Sequence, residues 1–386
     1  MTRIKCLYFA HRYILLVIEI VAKDEFFNTL KQLSETPGAP GYEHEIRGVV
    51  IDMLKDYADE LRTDALGNVI AVKKGSKGAG KVMIAAHMDE IALMVSYIEK
   101  NGFLRIQPVG GWNAIVLPGQ RVTVITDDGR KLRGVVGIKP PHIMKPEETK
   151  QVPEIKDLFI DIGAKSREDA EKLGISVGSL VVPERSAERL ANPDLVTGKA
   201  FDDRVGLAVM IHAFREAEEF EPTLYAVATV QEEVGLKGAR TAAYSISPDA
   251  ALALDVTIAA DVPGISESDR IVEIGKGPAI KVMDGRSGTG LITHPEIKRL
   301  LVRAAKEEGI PYQLEVLPGG TTDATIIALN KEGVPAGTVS VPTRYVHSPV
   351  EVLSLTDAVN AVKLVNAFLK RANTDWLASV KGAKLK

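Results

Sequence analysis

Histidine and carboxylate side chains follow several apolar runs of this sequence, in a pattern suited to holding divalent metal ions. Five motifs contain them: AHMDE at 86–90, AFDDR at 200–204, QEEVG at 231–235, LDVT at 254–257 and RYVHS at 344–348. Ionised groups beside apolar runs are costly unless they are paired or bound to metal. Mixed histidine and carboxylate ligands suit zinc, cobalt or manganese better than magnesium or calcium. The candidate residues are His87, Asp202, Glu232, Glu233, Asp255 and His347.

The adjacent pair Glu232 and Glu233 suits a division of roles at such a centre. Successive side chains that leave a strand end diverge, so one carboxylate can bind metal while its neighbour faces a water molecule. Two divalent ions about 3.5 to 4 Å apart can polarise a carbonyl, generate hydroxide from bound water and anchor a substrate amine. The pattern therefore predicts metal-assisted hydrolysis in which one glutamate binds metal and the other handles protons.

Short apolar runs carry several of these motifs and are typical of buried parallel strands. They span 82–87, 224–230 and 251–255. Helical periodicity separates or follows them at 205–219, 296–309 and 356–372. The alternation predicts an α/β fold with a central, mostly parallel sheet flanked by helices. Ligands bind beyond the carboxyl ends of the strands in such a sheet, and the candidate residues are expected to meet there.

The sequence pattern changes between about Ile91 and Pro183, where short alternating segments replace the long apolar runs. GQRVTVITDD and KLRGVVGI, joined by turn residues, predict a hairpin, and a helix is predicted from Ser166. We interpret 91–183 as a small β-barrel domain inserted into a catalytic α/β domain that comprises 21–90 and 184–386.

The first twenty residues place basic residues ahead of an apolar run and so faintly resemble a signal peptide. His11, Arg12 and Glu19 interrupt the run, which is too short and too broken to span a bilayer, and no small-residue cleavage site follows it. We therefore expect 1–20 to be a loose N-terminal extension, with no association with a membrane.

Composition narrows the possible functions. The 386 residues are 45% hydrophobic and 26% charged, which is ordinary for a globular protein with a large core. The net charge of -3 and the lack of a suitable Lys/Arg block give no basis for binding nucleic acid. Cys6 is the only cysteine, which excludes an internal disulfide and a thiolate-rich metal site, and the cytoplasm is the expected compartment.

The order of the motifs resembles that of the M42 family of metallo-aminopeptidases, which includes the TET peptidases and the glutamyl and leucyl aminopeptidases of archaea and bacteria. The resemblance covers nearly everything after about Val21. The matching stretches include AAHMDEIALMV, NGFLRIQPVGGW, KPPHIMKPEE, KAFDDRVG, ATVQEEVGLKGAR, ALDVTIAADVPG and SVPTRYVHSPVEV. The resemblance implies a metal-dependent aminopeptidase that removes N-terminal residues from short peptides.

Carried over by motif, the resemblance implies two divalent ions, zinc or cobalt, in each subunit. His87 and Asp255 would bind one ion, Glu233 and His347 would bind the other, and Asp202 would bridge them.

The resemblance also implies roles for residues around the ions. Glu232 would be the general base. Asp89 would orient the His87 ring without binding the metal itself. A cis peptide bond is expected between Asp202 and Asp203.

Self-association is a further expectation from the resemblance. Family members form dimers through the β-rich insert and often assemble into a hollow tetrahedral dodecamer that admits small or unfolded peptides. The same arrangement is therefore expected for this chain.

Four residues are candidates for the substrate pocket. The family counterpart of LPGGTTDATII borders the active site, so we expect Gly320 and Asp323 there. Helix capping is the plain explanation for Thr322 and Asp323, and it can coexist with a pocket role. Arg286 favours an acidic first residue of the substrate or is merely a solvated loop residue. His294 has a specificity role or a structural one.

Two other classes of function fit parts of the pattern. A related di-metal hydrolase, such as a carboxypeptidase or an N-deacylase, would use similar ligands, but those relatives keep the first two ligands close, whereas here the insert separates His87 from Asp202. A non-catalytic oligomeric scaffold would keep the fold, but pseudoenzymes usually lose a ligand or the base, and all six residues are present. An endoglucanase would need a paired-carboxylate site instead.

Overall fold

Two β-structures, an open sheet and a closed barrel, organise the chain. The computed structural model describes residues 20–78, 80–147 and 150–382. In chain order its strands are β1 (Glu60–Thr63), β2 (Val69–Lys73), β3 (Lys81–His87), β4 (Ala92–Ile98), β5 (Leu104–Val109), β6 (Arg121–Ile125), β7 (Lys131–Gly137), β8 (Phe159–Asp161), β9 (Leu180–Pro183), β10 (Glu188–Arg189), β11 (Leu195–Gly198), β12 (Thr223–Thr229), β13 (Ala250–Ile258), β14 (Ala279–Met283), β15 (Gln313–Val316), β16 (Ala336–Arg344) and β17 (Glu351–Ser354). Its α-helices are α1 (20–35), α2 (His44–Leu54), α3 (Arg167–Lys172), α4 (Phe201–Glu216), α5 (Lys237–Ile246), α6 (Pro295–Glu308), α7 (Asp323–Ala328), α8 (Leu355–Arg371) and α9 (Thr374–Val380).

The open sheet has the strand order β1-β2-β12-β3-β13-β16-β17-β11-β10, with β14 paired to β16 and β15 paired to β14. Its centre, β12-β3-β13-β16, is parallel. Flanking pairs such as β1-β2 and β16-β17 are antiparallel. The central strands are buried on both faces, β3 for example from Val82 to His87, and such strands read as unbroken apolar runs. The predicted α/β fold is confirmed, with its parallel strands at the centre of the sheet.

Helices cover both faces of this sheet. Alternate side chains of β3 point to opposite faces, so Ile84 joins the core beneath α4, α6 and α8, whereas Met83 and Ala85 join the core beneath α5 and α7. A fully buried aliphatic side chain contributes roughly 1.5 to 3 kcal/mol relative to an exposed one. The helices predicted at 205–219, 296–309 and 356–372 are confirmed as α4, α6 and α8, with ends shifted by a few residues.

The closed barrel has the strand order β4-β5-β8-β7-β6-β9. β6 and β7 form the predicted hairpin. The predicted helix is α3, where the Ser166 hydroxyl accepts a hydrogen bond from the Asp169 amide at 3.2 Å. Val124 and Ile160 belong to a separate apolar cluster that forms the core of the barrel. The expected small barrel is thus present, and its strands lie between Ala92 and Pro183.

The largest shift of a predicted strand end is at the end of β13. β13 continues to Ile258, beyond the predicted end at Asp255, because it keeps pairing with β16 until Ile258 lies opposite Thr343. Asp255 therefore lies within the strand, where the pairing of β13 with β16 holds its backbone.

The N-terminal prediction falls almost entirely outside the described residues. Of 1–20, the structure describes Ile20 alone, and this residue is helical. None of the helices in the described ranges is both long and apolar enough to cross a membrane.

Candidate metal centre

A cavity of about 450 Å³ lies at the carboxyl edge of the central parallel strands. Its walls bring together every side chain that was predicted for metal chemistry or proton transfer. These are His87, Asp202, Glu232, Glu233, Asp255 and His347.

Neighbouring strands position four of these side chains. His87 is the last residue of β3, and its partner Thr229 ends β12, so the loop that carries Glu232 and Glu233 begins beside His87. Asp255 lies on β13, the other neighbour of β3. Parallel strands end at a common edge, which is why motifs far apart in the sequence converge.

Asp202 and His347 reach the cavity from other elements. Asp202 is the second residue of α4, and His347 lies in the turn that follows β16. The peptide bond between Asp202 and Asp203 is cis, as expected. Asp203 Oδ2 accepts a hydrogen bond from the His87 amide at 3.2 Å, which ties the start of α4 to the end of β3.

His87 presents one ring nitrogen to the cavity. Its Nδ1 lies 3.0 Å from the carbonyl oxygen of Asp89, so Nδ1–H donates there. The other nitrogen, Nε2, lies 3.1 Å from Asp202 Oδ1 and 3.8 Å from Glu232 Oε2. Because the bond to Nδ1 sets the tautomer, Nε2 is the atom available to a metal ion.

Asp202 stands between the two histidines. Its Oδ2 lies 3.3 Å from His347 Nε2, and the same nitrogen lies 3.3 Å from Glu233 Oε1. The described residues contain three groups of possible ligand atoms, and the atoms of each group lie within 4.8 Å of one another. They are His87 with Asp202 and Asp255, Asp202 with Glu233 and His347, and His87 with Glu232 and Glu233. Asp202 belongs to the first two.

The carboxylates of the centre are difficult to ionise together. Burial raises the pKa of Asp255 and of Glu232 well above the usual range, and neighbouring carboxylates act in the same direction. Burial also opposes ionisation of Asp202, but hydrogen bonds from His347 and His87 outweigh it and lower the pKa of Asp202. The two histidines cannot balance all of these carboxylates, and divalent cations would supply the missing positive charge. The residues present therefore fit a metal centre.

Zinc binding is expected to release protons near neutral pH. Burial disfavours a protonated His347, but hydrogen bonds with Asp202 and Glu233 outweigh it and raise the pKa of His347 to about 11. Attraction to Glu232 and hydrogen bonds likewise overcome burial and raise the pKa of His87. Because both rings must lose a proton before they bind metal, affinity should weaken as the pH falls. Calorimetric titration of the metal-free protein in buffers of different ionisation enthalpy measures this release, and zinc uptake without proton release at pH 7 would contradict the prediction.

Asp89 organises more of the centre than the sequence indicated. We expected it to orient the His87 ring, and its carbonyl oxygen is in place to do so. Its carboxylate also accepts hydrogen bonds from the amides of Glu232 and Glu233, at 3.0 and 3.1 Å. Asp89 is fully buried, so neither bond competes with water.

Two buried side chains that the sequence analysis missed hold the residues just before this glutamate pair. Asn68 Oδ1 accepts a hydrogen bond from the Val230 amide at 3.0 Å, and Glu43 Oε1 accepts one from the Gln231 amide at 3.1 Å. Together with Asp89, these residues bond every backbone amide from Val230 to Glu233 to a side-chain oxygen.

The four predicted pocket residues have different positions. Gly320 lines the cavity, and Arg286, His294 and Asp323 are not among the described residues that line it. Arg286 is exposed in a short 3-10 turn. His294 caps α6, because its Nδ1 accepts a hydrogen bond from the Glu296 amide at 3.3 Å.

The capping role predicted for the start of α7 is wrong. The Thr322 side chain makes no capping hydrogen bond, and its hydroxyl instead lies 3.1 Å from that of Thr338. Asp323 is buried and accepts a hydrogen bond from the Thr229 hydroxyl at 2.5 Å. Both side chains bond to strands of the sheet beneath them, so they dock α7 rather than cap it.

Leu317 and Thr321 also line the cavity, as expected for the segment LPGGTTDATII. Thr257 and the buried Lys281, whose Nζ lies 3.6 Å from Glu315 Oε2, were not foreseen in the wall. A lone lysine within the apolar strand β14 was the available signal, since a buried ammonium requires a partner. The aliphatic part of the wall is formed by Leu236, Val256, Ile258, Leu317 and Val346.

A sheet edge that gathers histidines and buried carboxylates around one cavity is typical of metal-dependent hydrolases. Within that class, the chain belongs to the M42 family of aminopeptidases: the family model described as M42 glutamyl aminopeptidase matches residues 67–364. The resemblance of the motifs is thereby confirmed. The protein is a metal-dependent aminopeptidase, a hydrolase of peptide bonds.

Known proteins resemble the chain over most of its length. A lysyl aminopeptidase of Pyrococcus furiosus is 42% identical over 346 residues, which cover 88% of this chain and 96% of the relative. The solved structure of an aminopeptidase from the archaeon Desulfurococcus kamchatkensis is 51% identical, with a TM-score of 0.91 and coverage of 94% of this chain and 99% of that one. The TET1 peptidase of Pyrococcus horikoshii, which can assemble into a tetrahedron or a large octahedral shell, is 36% identical, with a TM-score of 0.79 and coverage of 89% and 99%.

Proposed function

We propose that this aminopeptidase works with two divalent ions, zinc or cobalt, at the cavity described above. His87 and Asp255 would hold one ion, Glu233 and His347 would hold the other, and Asp202 would bridge them. The observation that carries the proposal is the position of Asp202, whose two carboxylate oxygens face different histidines, at 3.1 and 3.3 Å. When bound, the ions would polarise the scissile carbonyl and lower the pKa of a water molecule.

Glu232 is the general base in this proposal. It lines the cavity, belongs to neither of the groups that share Asp202, and comes directly before the proposed ligand Glu233. Burial raises the pKa of its carboxyl group, which makes the carboxylate a stronger proton acceptor. Glu232 takes a proton from the attacking water and returns it to the departing amine.

The substrates are short peptides with a free N-terminus. A cavity of about 450 Å³ suits the first side chain and the peptide bond that follows it, and a folded protein is too large to enter. Divalent ions bound by the cavity residues would anchor the free amine of the substrate beside the reacting bond.

The division of the chain and its assembly belong to the same proposal. Residues 21–90 and 184–386 form the catalytic domain, and 91–183 form an inserted domain that joins two subunits. Further association to a tetrahedral dodecamer is supported by the shells formed by the TET1 peptidase of Pyrococcus horikoshii. The cytoplasm is the proposed compartment, because a single cysteine leaves the fold independent of disulfides.

A comparison of substrates separates this function from its alternatives. Aminoacyl chromogenic substrates, peptides with a blocked N-terminus, peptides with a blocked C-terminus, and cellulose are assayed side by side with zinc, cobalt and manganese. Cleavage that requires a free amine and ignores the C-terminal block supports the aminopeptidase reaction. Cleavage that requires a free carboxylate, or sugar release without peptide cleavage, overturns it.

Removal of metal is expected to abolish peptide hydrolysis and to leave the fold intact. None of the proposed metal ligands belongs to the apolar core of the sheet, so the metal-free protein should keep its circular dichroism spectrum. Dialysis against a chelator, followed by addition of zinc or cobalt, measures loss and recovery of turnover. Unchanged hydrolysis in protein shown to be free of metal would refute the metal mechanism.

A further inference from the structure

Glu351 is a buried carboxylate that the mechanism above does not use. It is 1% exposed. Its Oε2 accepts a hydrogen bond from the Asp202 amide at 3.1 Å, and its Oε1 accepts one from the His347 amide at 3.0 Å. One carboxylate therefore bonds to the backbone of two proposed metal ligands.

The place of Glu351 in the sheet explains how it reaches both. It begins β17, which lies between β11 and β16. Gly198, the last residue of β11, lies opposite Glu351, and the chain then continues to Asp202. β16 ends at Arg344, and the chain continues to His347. Glu351 thus lies where both neighbouring strands end and both ligand-bearing segments begin.

The segments that Glu351 joins have little regular structure of their own at these points. His347 has a φ of 61°, a left-handed conformation that non-glycine residues adopt when surrounding contacts hold them. The His347 amide makes no hydrogen bond within a helix or strand, and it donates to the Glu351 carboxylate instead. The amide of Asp202 is likewise among the first amides of α4, which lack partners inside the helix.

We propose that Glu351 is a positioning residue that holds the Asp202 and His347 backbones at the spacing required to bind one metal ion together. The proposal rests on the ligand assignment given under Proposed function. Glu351 does not touch the ion or the substrate in this proposal. It acts on the half of the centre formed by Asp202, Glu233 and His347, in the way that Asp89 acts on the loop of Glu232 and Glu233.

The test is a zinc titration of Glu351→Gln by calorimetry. Glutamine keeps the size of the side chain and one oxygen acceptor, but its amide group cannot accept the second backbone hydrogen bond. Residues that support metal ligands from behind typically change metal affinity by about 10- to 100-fold when mutated. We expect a loss of that size for the zinc ion held by Glu233 and His347 and a smaller loss for the other ion, which shares Asp202 but not His347. Turnover should recover when zinc is raised to saturation.

Asp357→Asn is the matched control. Asp357 is also 1% exposed, and its carboxylate also bridges two backbone amides, those of Gly275 and Gly277, at 2.6 and 2.8 Å. These residues do not line the cavity. The control should lose a similar amount of stability to heat while keeping both zinc affinities. If Glu351→Gln binds both ions as tightly as the control does, the proposal is overturned.

A measurement on the unmodified protein covers the case in which Glu351→Gln does not fold. Amide hydrogen exchange at Asp202 and His347 should be slow in the metal-free protein, because both amides already donate to a buried carboxylate. Exchange at the rate of free amides would overturn the proposal. If the unmodified protein binds no zinc at all, the ligand assignment fails instead, and the two failures are thereby distinguished.

Discussion

Replacing Glu232 by glutamine is expected to lower kcat by about 100- to 10,000-fold, the range attributed to a general base, while the protein keeps its metal. Glutamine has nearly the same shape but cannot take a proton from water. The Glu232 backbone amide would still donate to Asp89, so the loop should stay in place. Steady-state kinetics give kcat and KM, and elemental analysis after dialysis gives the metal content.

The neighbouring residue is the matched control for this experiment. Glu233→Gln alters a carboxylate on the same loop, held by the same Asp89 side chain. Its oxygen lies 3.3 Å from His347 Nε2, so we expect this variant to lose metal as well as activity. The two variants should therefore separate proton transfer from metal binding. Near-normal turnover in Glu232→Gln, or loss of metal from it, would show that the base is misassigned.

The position of the candidate metal centre could be predicted from the sequence because several of its residues follow the ends of strands. His87 and Glu232 follow apolar runs, and parallel strands necessarily end at a common edge. Apolar runs also located the central strands to within a few residues. Asp255 shows the limit of this approach, since the continued pairing of β13 with β16 depends on a neighbouring strand that local sequence does not specify.

The buried acceptors around the centre could not be predicted in the same way. Glu43 bonds to an amide 188 residues away, Asn68 to one 162 residues away, and Glu351 to one 149 residues away. Each lies in a segment with nothing unusual in its sequence, and carboxylate and amide side chains are mostly exposed to solvent. The register of the strands decides that these side chains are buried against backbone amides. The exposed position of Arg286 has a similar origin, because a Gly-rich loop has no periodicity from which its path can be derived.

Replacing Asp202 by asparagine is expected to weaken both metal sites at once. Its two oxygens face His87 and His347 separately, so the loss of one oxygen and of the negative charge affects both groups of ligands. Mutation of a residue that supports a metal ligand without binding the metal typically lowers metal affinity by roughly 10- to 100-fold. We expect Asp202→Asn to lower both zinc affinities by more than this. Turnover should then be undetectable without added metal. Zinc titration followed by calorimetry, with elemental analysis after dialysis, measures both sites.

The variant Asp255→Asn tests whether Asp202→Asn weakens both metal sites because the two sites share Asp202. Asp255 occurs only in the group with His87 and Asp202 among the possible metal-binding groups of the described residues. Its loss should therefore weaken one zinc ion and leave the other close to normal. If Asp202→Asn also weakens a single ion, Asp202 belongs to one site and the ions are not bridged. If Asp255→Asn weakens both ions equally, the two sites are coupled by charge as well as by a shared ligand, and the assignment of Asp255 to one ion is wrong.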